Sequence, residues 1–101
     1  MGTLVYDGKS AVVTIDDRVL AHLRIVILAK FRRQESFAFN WTRSTSDGSG
    51  RGTIWMSPGI AVYFEFGGSR EPAINKEWID ALMAAANSPT GLTMLHEPGV
   101  G

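Results

Sequence analysis

The sequence contains no cysteine among its 101 residues, and this absence excludes several kinds of site. Without thiols the chain has no disulfide, no thiolate metal centre and no cysteine nucleophile. The sequence therefore does not indicate whether the protein works in an oxidising or a reducing compartment. It also lacks an excess of positive or negative charge, since ten basic residues balance ten acidic ones. No apolar run is long enough to span a bilayer, and the opening MGTLVYDGKS has no signal-peptide pattern. We therefore expect a cytoplasmic protein that makes no use of a membrane.

The common phosphate-binding and nucleophile motifs are absent as well. There is no GxxxxGK[ST], no GxGxxG between a strand and a helix, and no GxSxG. The small residues Ser49-Gly50-Arg51-Gly52 do form a glycine cluster, but they lie between two predicted strands rather than before a helix. A helix N-terminus would be needed to hold a phosphate there, so we interpret the cluster as a flexible loop.

Metal binding is also disfavoured, because a site needs several ligands that converge. His22 comes one helical turn after Asp17, and His96 precedes Glu97, but the two histidines are far apart in the sequence. We interpret Asp16 and Asp17 as the cap of this helix and His22 as part of its exposed strip. Asn75 is the predicted cap of the second helix. The sequence thus predicts no metal, no cofactor and no catalytic constellation.

Apolar residues make up 45% of the chain and charged residues 20%, which is ordinary for one small globular domain. We expect that domain over residues 1–98, with a flexible tail at 99–101. Period-2 and period-3.6 patterns predict eight elements. The predicted strands cover residues 3–6, 11–15, 35–42, 53–57, 61–66 and 92–96, and the predicted helices cover 17–33 and 76–86.

The order β-β-α-β-β-β-α-β predicts an α+β fold, with one mostly antiparallel sheet and two helices on one face. Asp7-Gly8 favours a hairpin between the first two strands. Residues 43–53 have the composition of a flexible loop. Ser57-Pro58-Gly59-Ile60 fits a type II turn, so we expect the strands on either side of it to pair.

The charge is unevenly distributed along this neutral chain. Residues 18–51 carry seven basic and two acidic residues, a net charge of +5, whereas residues 1–17 carry −2 and residues 52–101 carry −3. Arginines beside strand aromatics are suited to contact phosphates and stack bases. The nucleic-acid-binding candidates are Arg18, Arg32, Arg33, Arg43, Arg51 and Trp41. The structural alternative is that the arginines solvate a helix face and the aromatics belong to the core.

Two further aromatic residues favour a different partner. Trp55 and Tyr63 are expected on the same side of their predicted hairpin. If the helices cover only one face of the sheet, aromatic residues on the other face stay exposed or meet a second protein. Self-association through Trp55 and Tyr63 is therefore the alternative function.

Nearly the whole chain resembles a family of small, functionally uncharacterised actinobacterial proteins of about a hundred residues. The resemblance is carried by MGTLVYDG, DDRVLAHLRIVILAKFRRQESFAFNW, GRGTIWMSPGIAVYFEF, INKEWIDALMAAANSPTGL and HEP. Members are often labelled ATP-dependent DNA ligases, which implies a ligase-associated accessory role. Ligase chemistry itself needs a lysine in a KxDG-like motif, and none of Lys9, Lys30 and Lys76 begins one. We therefore expect a non-catalytic module that binds DNA or RNA, or alternatively a homodimer or another protein.

Overall fold

The computed structural model describes residues 1–45 and 48–99. The strands are β1 (Gly2–Tyr6), β2 (Ala11–Ile15), β3 (Phe37–Thr45), β4 (Gly48–Met56), β5 (Val62–Glu65) and β6 (Leu92–Thr93), and the helices are α1 (Asp17–Arg32) and α2 (Lys76–Ala86). The predicted α+β class and the predicted order of elements are confirmed. Of the predicted tail, Gly99 is described and residues 100–101 lie outside the described part.

The strands are divided between two three-stranded sheets, whereas we expected a single sheet. Sheet A has the order β2-β1-β5 and is antiparallel throughout. Sheet B has the order β4-β3-β6, in which β6 runs parallel to β3 and β4 runs antiparallel to it. The expected hairpin between β4 and β5 is therefore wrong, because β5 pairs with β1.

The turn that separates β4 from β5 forms as predicted but does not join two paired strands. Ile60 N–H donates to Ser57 O, and Gly59 has a φ of 95°, so the predicted turn does form. However, it passes the chain from one sheet to the other, since Asp7 N–H donates to Ala61 O and Ser57 N–H donates to the Tyr6 hydroxyl. On the edge of β1, β5 packs Val62 and Phe64 against the core.

Strands β3 and β4 are longer than the sequence predicted. They pair from Phe37↔Met56 through to Thr45↔Gly48, so most of the predicted loop 43–53 is a two-stranded ribbon. Ser46 and Asp47, which also belonged to that predicted loop, lie outside the described residues. In contrast, the last predicted strand is reduced to the two residues of β6.

Both helices begin at the predicted caps. Asp16 accepts hydrogen bonds from Arg18 N–H and Val19 N–H at the start of α1, and Asn75 accepts one from Trp78 N–H at the start of α2. The helices pack on each other, and their apolar faces meet the inner faces of the sheets. The fully buried centre consists of Leu4, Leu20, Leu23, Val26, Ile27, Phe39, Met56, Leu82 and Leu92.

No helix within residues 1–45 and 48–99 is long and apolar enough to cross a membrane.

Candidate functional site

The paired strands β3 and β4 form a ribbon whose two faces carry different side chains, because side chains alternate along a strand. On the inner face, Phe37 and Phe39 enter the core, and Trp41 and Arg43 continue the same row outward. The ribbon residues opposite Trp41 and Arg43 are Gly52 and Gly50. A Cβ atom on Gly52 would lie 2.5 Å from the Trp41 ring, so the indole rests directly on backbone.

Arg43 extends this packing toward solvent. Its guanidinium lies 5.7 Å from the centroid of the Trp41 ring, within the range of a cation–π contact. Trp41 is half-buried and packs against the core, whereas Arg43 is exposed. The inner face of the ribbon therefore carries a cation that is held over an aromatic ring.

The outer face of the ribbon is polar around one large aromatic residue. Trp55 is 64% exposed, and Thr53 and Arg51 follow it on the same face of β4. Their partners on β3 are Ala38, Asn40 and Thr42. The Thr53 hydroxyl donates to Asn40 Oδ1 at 2.7 Å, and Asn40 Nδ2 donates to Thr90 O at 2.8 Å, so this amide is fixed in place.

The described ribbon residues, 37–45 and 48–56, include two arginines and two tryptophans but no carboxylate. One arginine and one tryptophan lie on each face. An exposed ring and a cation on one strand face, such as Trp55 and Arg51, can stack a base and contact a phosphate. The other ribbon arginine, Arg43, lines a groove that Asp16 and Glu97 also line.

The six nucleic-acid-binding candidates are found in three places. Trp41, Arg43 and Arg51 share the ribbon. Arg18 and Arg43 line one groove of about 470 Å³, together with His96 and Glu97. Arg32 and Arg33 lie at the far end of α1, about 21 Å from Arg18 at 1.5 Å per residue. The candidates therefore do not form one continuous basic surface.

Trp55 and Tyr63 were expected on one face, and this expectation is wrong because β4 and β5 belong to different sheets. Tyr63 lies on the outer face of sheet A, where the register places it beside Val5, with Val12 on the other side. Its hydroxyl donates to Glu65 Oε1 at 3.1 Å, and this bond raises the pKa of Tyr63.

Arg18 belongs to a polar clasp that the sequence analysis missed. Its Nε and Nη2 donate to the two oxygens of Glu97 at 2.8 and 2.6 Å, and Asn75 Nδ2 donates to the same carboxylate at 2.9 Å. The Arg18 hydrogen bonds, followed by that from Asn75, lower the pKa of Glu97 to about 2. The clasp ties the segment after β6 to the N-termini of both helices. One signal for it was present, since a cation in the first turn opposes the helix dipole and favours a partner elsewhere.

His22 is fully buried, so its predicted place on an exposed strip is wrong. Its ring stacks on Trp78 with centroids 4.4 Å apart. Nε2 accepts from Asn75 N–H at 2.9 Å, which requires the neutral ring to donate from Nδ1 to Arg18 O at 2.8 Å. Helical periodicity places His22 on the solvent side of α1, but Trp78 of α2 packs against that side and buries it.

Other charged groups also have structural partners. Lys30 is buried and binds Asn87 Oδ1 at 2.6 Å and Glu35 Oε1 at 2.9 Å, and it lowers the pKa of Glu35. The Asp17 carboxylate accepts from the backbone N–H groups of Gly67 and Gly68, and these bonds lower its pKa. Across residues 1–45 and 48–99, no three histidine, aspartate or glutamate side chains are grouped to hold a metal ion.

Residues 1–97 match the family model described as Domain of unknown function (DUF7882). The chain belongs to this family. No curated protein and no solved structure matches it.

In this DUF7882 domain the matched region includes the whole ribbon and also the Arg18–Glu97 clasp. The two differ in their chemistry. The polar groups of the clasp satisfy one another, whereas Arg43, Arg51 and Trp55 on the ribbon are exposed. The ribbon is therefore the candidate binding surface, and the clasp is part of the scaffold that supports it.

Proposed function

We propose that this DUF7882 domain is a non-catalytic module that binds single-stranded nucleic acid along its β3–β4 ribbon. The observation that carries the proposal is the composition of that ribbon. Its described residues place Arg43 over Trp41 on one face and Arg51 with Trp55 on the other, with no carboxylate between them. Arginines neutralise phosphates, and each base stacked on an aromatic ring contributes about 1–3 kcal/mol.

On the outer face, Trp55 suits a base, and Arg51, nearer the start of β4, suits the phosphate backbone. Trp55 and Arg51 are four residues apart on one strand, which corresponds to about 13 Å. The hydroxyl of Thr53 and the fixed amide of Asn40 lie between them, and Thr42 lies opposite Arg51. All three supply hydrogen-bonding groups. An accessory role beside a DNA-joining enzyme, in the cytoplasm, is one form of this proposal.

The other candidates have different parts in it. Arg32 and Arg33 are exposed at the end of α1, away from the ribbon, and Glu35 lies 3.7 Å from Arg33, so we assign them a lesser part. Arg18 contributes only where a phosphate displaces Glu97, because this carboxylate already holds its guanidinium.

Fluorescence anisotropy with labelled single-stranded DNA and RNA, titrated from low to physiological salt, tests the proposal. We expect measurable binding at low salt that weakens steeply as salt rises. The double variant Arg43→Gln/Arg51→Gln is expected to bind roughly tenfold more weakly and to flatten the salt dependence. Trp55→Ser is expected to weaken binding by a similar factor through lost stacking.

The variant Arg24→Gln/Arg70→Gln is the matched control, since it removes the same charge from exposed positions outside the ribbon. It should bind nearly as the wild type does. No association at low salt, or equal losses in the two double variants, would refute a ribbon-specific site.

A second candidate function is homodimerisation through sheet A, and the row Val12–Val5–Tyr63 favours it. Val12 is 55% and Tyr63 is 56% exposed, and Val5 lies between them in register. Burying this row against a second copy would remove apolar area from water. With Trp55 on the other sheet, we assign the self-association surface to Tyr63, Val5 and Val12, and Trp55 serves another protein partner or nucleic acid.

Analytical ultracentrifugation across a concentration range tests this candidate. We expect a concentration-dependent dimer that Tyr63→Ser/Val12→Thr dissociates and that Trp55→Ser leaves intact. A monomer at every concentration would exclude it. The nucleic-acid experiment tests the ribbon and the ultracentrifugation tests sheet A, so a negative result for one proposed function leaves the other standing.

A further inference from the structure

A second concave surface lies on the side of α1 that faces the segment after β5. It is a groove of about 590 Å³, within the size range of small-molecule sites. Ala21 and Ile25, which are one helical turn apart, line it from α1, and Phe64 and Phe66 line it from the end of β5. No residue of β3 or β4 contributes to its lining.

The floor of the groove is apolar and incompletely covered. Ile25, Phe64 and Phe66 are half-buried, and Ile74 at the opposite wall is 51% exposed. Each of these four side chains therefore keeps part of its apolar surface in contact with water inside the groove. A ligand with an apolar body would cover that surface and gain about 25 cal/mol for each Å² removed from water.

The groove also carries two cations without partners of opposite charge. Arg24 and Arg70 both line it and are exposed, and within the described residues neither forms an ion pair. In this they differ from Arg18, Lys30 and Arg33, each of which lies within 4.0 Å of a carboxylate.

Two carboxylates line the groove as well, and their situations differ. Asp17 is held in place and stays ionised, because its oxygens accept from Gly67 and Gly68 N–H at 3.0–3.1 Å and these bonds lower its pKa. Glu71 is exposed, and no ion pair holds it within the described residues. Its negative charge is thus free to oppose an incoming anion and can be removed without breaking one of these backbone hydrogen bonds.

We propose that this groove binds a small carboxylate with an apolar body, with Arg24 and Arg70 holding the carboxylate and the Ile25–Phe64–Phe66 floor covering the body. An alkyl chain and an aromatic ring share this chemistry, so both are tested. The site is separate from the ribbon and does not depend on nucleic-acid binding.

The experiment is a titration of the full ¹⁵N-labelled chain, followed by backbone amide shifts. Decanoate and 1-naphthoate are the probes, with decanol and 1-naphthalenemethanol as their neutral counterparts. We expect saturable shifts at Ala21, Ile25, Phe64 and residues 66–71 for at least one carboxylate. The neutral counterparts should bind roughly tenfold more weakly, since charge-assisted hydrogen bonds contribute about 1.5–3 kcal/mol.

Three variants define the outcome. Arg24→Gln/Arg70→Gln is expected to weaken carboxylate binding roughly tenfold, whereas Arg32→Gln/Arg33→Gln, with the same charge removed from the other end of α1, should leave it unchanged. Glu71→Gln is expected to strengthen it, a gain that a folding defect would not produce. The proposal is overturned if the shifts do not saturate, if they cluster outside the groove, or if neutral probes bind as tightly.

Discussion

The indole ring of Trp41 lies on the backbone of Gly52, its partner across the β3–β4 ribbon. A side chain at position 52 would occupy the space that the ring fills, since its Cβ would come 2.5 Å from Trp41 Cζ2. The glycine therefore allows Trp41 to cover the core and to support Arg43 at 5.7 Å. This contact couples the stability of the ribbon to the position of its outermost cation.

Gly52→Ala should displace Trp41 and destabilise the protein. Overpacking of this kind costs about 1–3 kcal/mol. Chemical denaturation followed by circular dichroism measures the change. Gly50→Ala is the matched control on the same strand, because its Cβ would lie 3.4 Å from Arg43 Nη2, at the end of a side chain that can move. Equal stabilities of the two variants would contradict the role assigned to Trp41.

The Glu97 clasp predicts a specific pH dependence. The pKa of Glu97 is lowered from 4.5 to about 2 in the folded protein by Arg18 and Asn75. A depressed carboxylate pKa contributes stability that is fully present above the unfolded value and is lost as pH falls through the folded one. Stability should thus decrease between about pH 4.5 and pH 2 in the wild type.

Glu97→Gln should be less stable at neutral pH and should lose part of this acid dependence. Denaturation midpoints measured at several pH values for both proteins give the comparison. Glu71→Gln provides the control, since this exposed carboxylate has no ion pair within the described residues. Parallel pH profiles for wild type and Glu97→Gln would show that the clasp does not carry the effect.

His22→Phe tests whether the buried imidazole acts through hydrogen bonds or through its shape. Phenylalanine keeps a ring against Trp78 but leaves Asn75 N–H without the acceptor that lies 2.9 Å away in the wild type. An unpaired buried donor costs about 1–3 kcal/mol, so we expect a loss in that range. His96→Phe, at an exposed position, should change stability by less than about 0.5 kcal/mol.

The sequence predicted those parts of the fold that depend on local chemistry. Asp16 and Asn75 are recognisable caps because their side chains bond the next turn, and α2 has the predicted bounds. The partner of β5 was not predictable from the turn that precedes it, because the Ser57–Ile60 turn is compatible with either sheet. That choice depends on tertiary packing, which no local pattern contains.

The candidate site likewise has features that local sequence predicted and features that depend on tertiary packing. Trp41 and Arg43 were recognised as a strand aromatic followed by a cation, and the structure brings them together. The glycines of β4 indicated a loop because glycine weakens isolated strands. They form a strand here because the side chains of Trp41 and Arg43 occupy the space beside the glycines, which have no side chains of their own. The Arg18–Glu97 bond joins residues 79 positions apart, and sequence spacing does not predict a contact between residues so far apart.

Helix α1 ends in a motif that usually requires glycine, and Gln34 occupies that position. Gln34 N–H donates to Phe31 O and Glu35 N–H donates to Lys30 O, the two hydrogen bonds of a Schellman motif. Gln34 consequently has a φ of 59°, in the left-handed region that disfavours residues with a Cβ.

Gln34→Gly should therefore stabilise the protein, because it relieves this backbone strain while leaving both hydrogen bonds in place. Relief of the Cβ clash outweighs the greater freedom of glycine in the unfolded chain, and we expect a net gain of about 0.5–1 kcal/mol. Gln34→Ala keeps the Cβ and removes the rest of the side chain, so it should gain nothing. Thermal unfolding of the three proteins separates the two effects, and a similar gain in both variants would assign it to the lost side chain instead of the backbone.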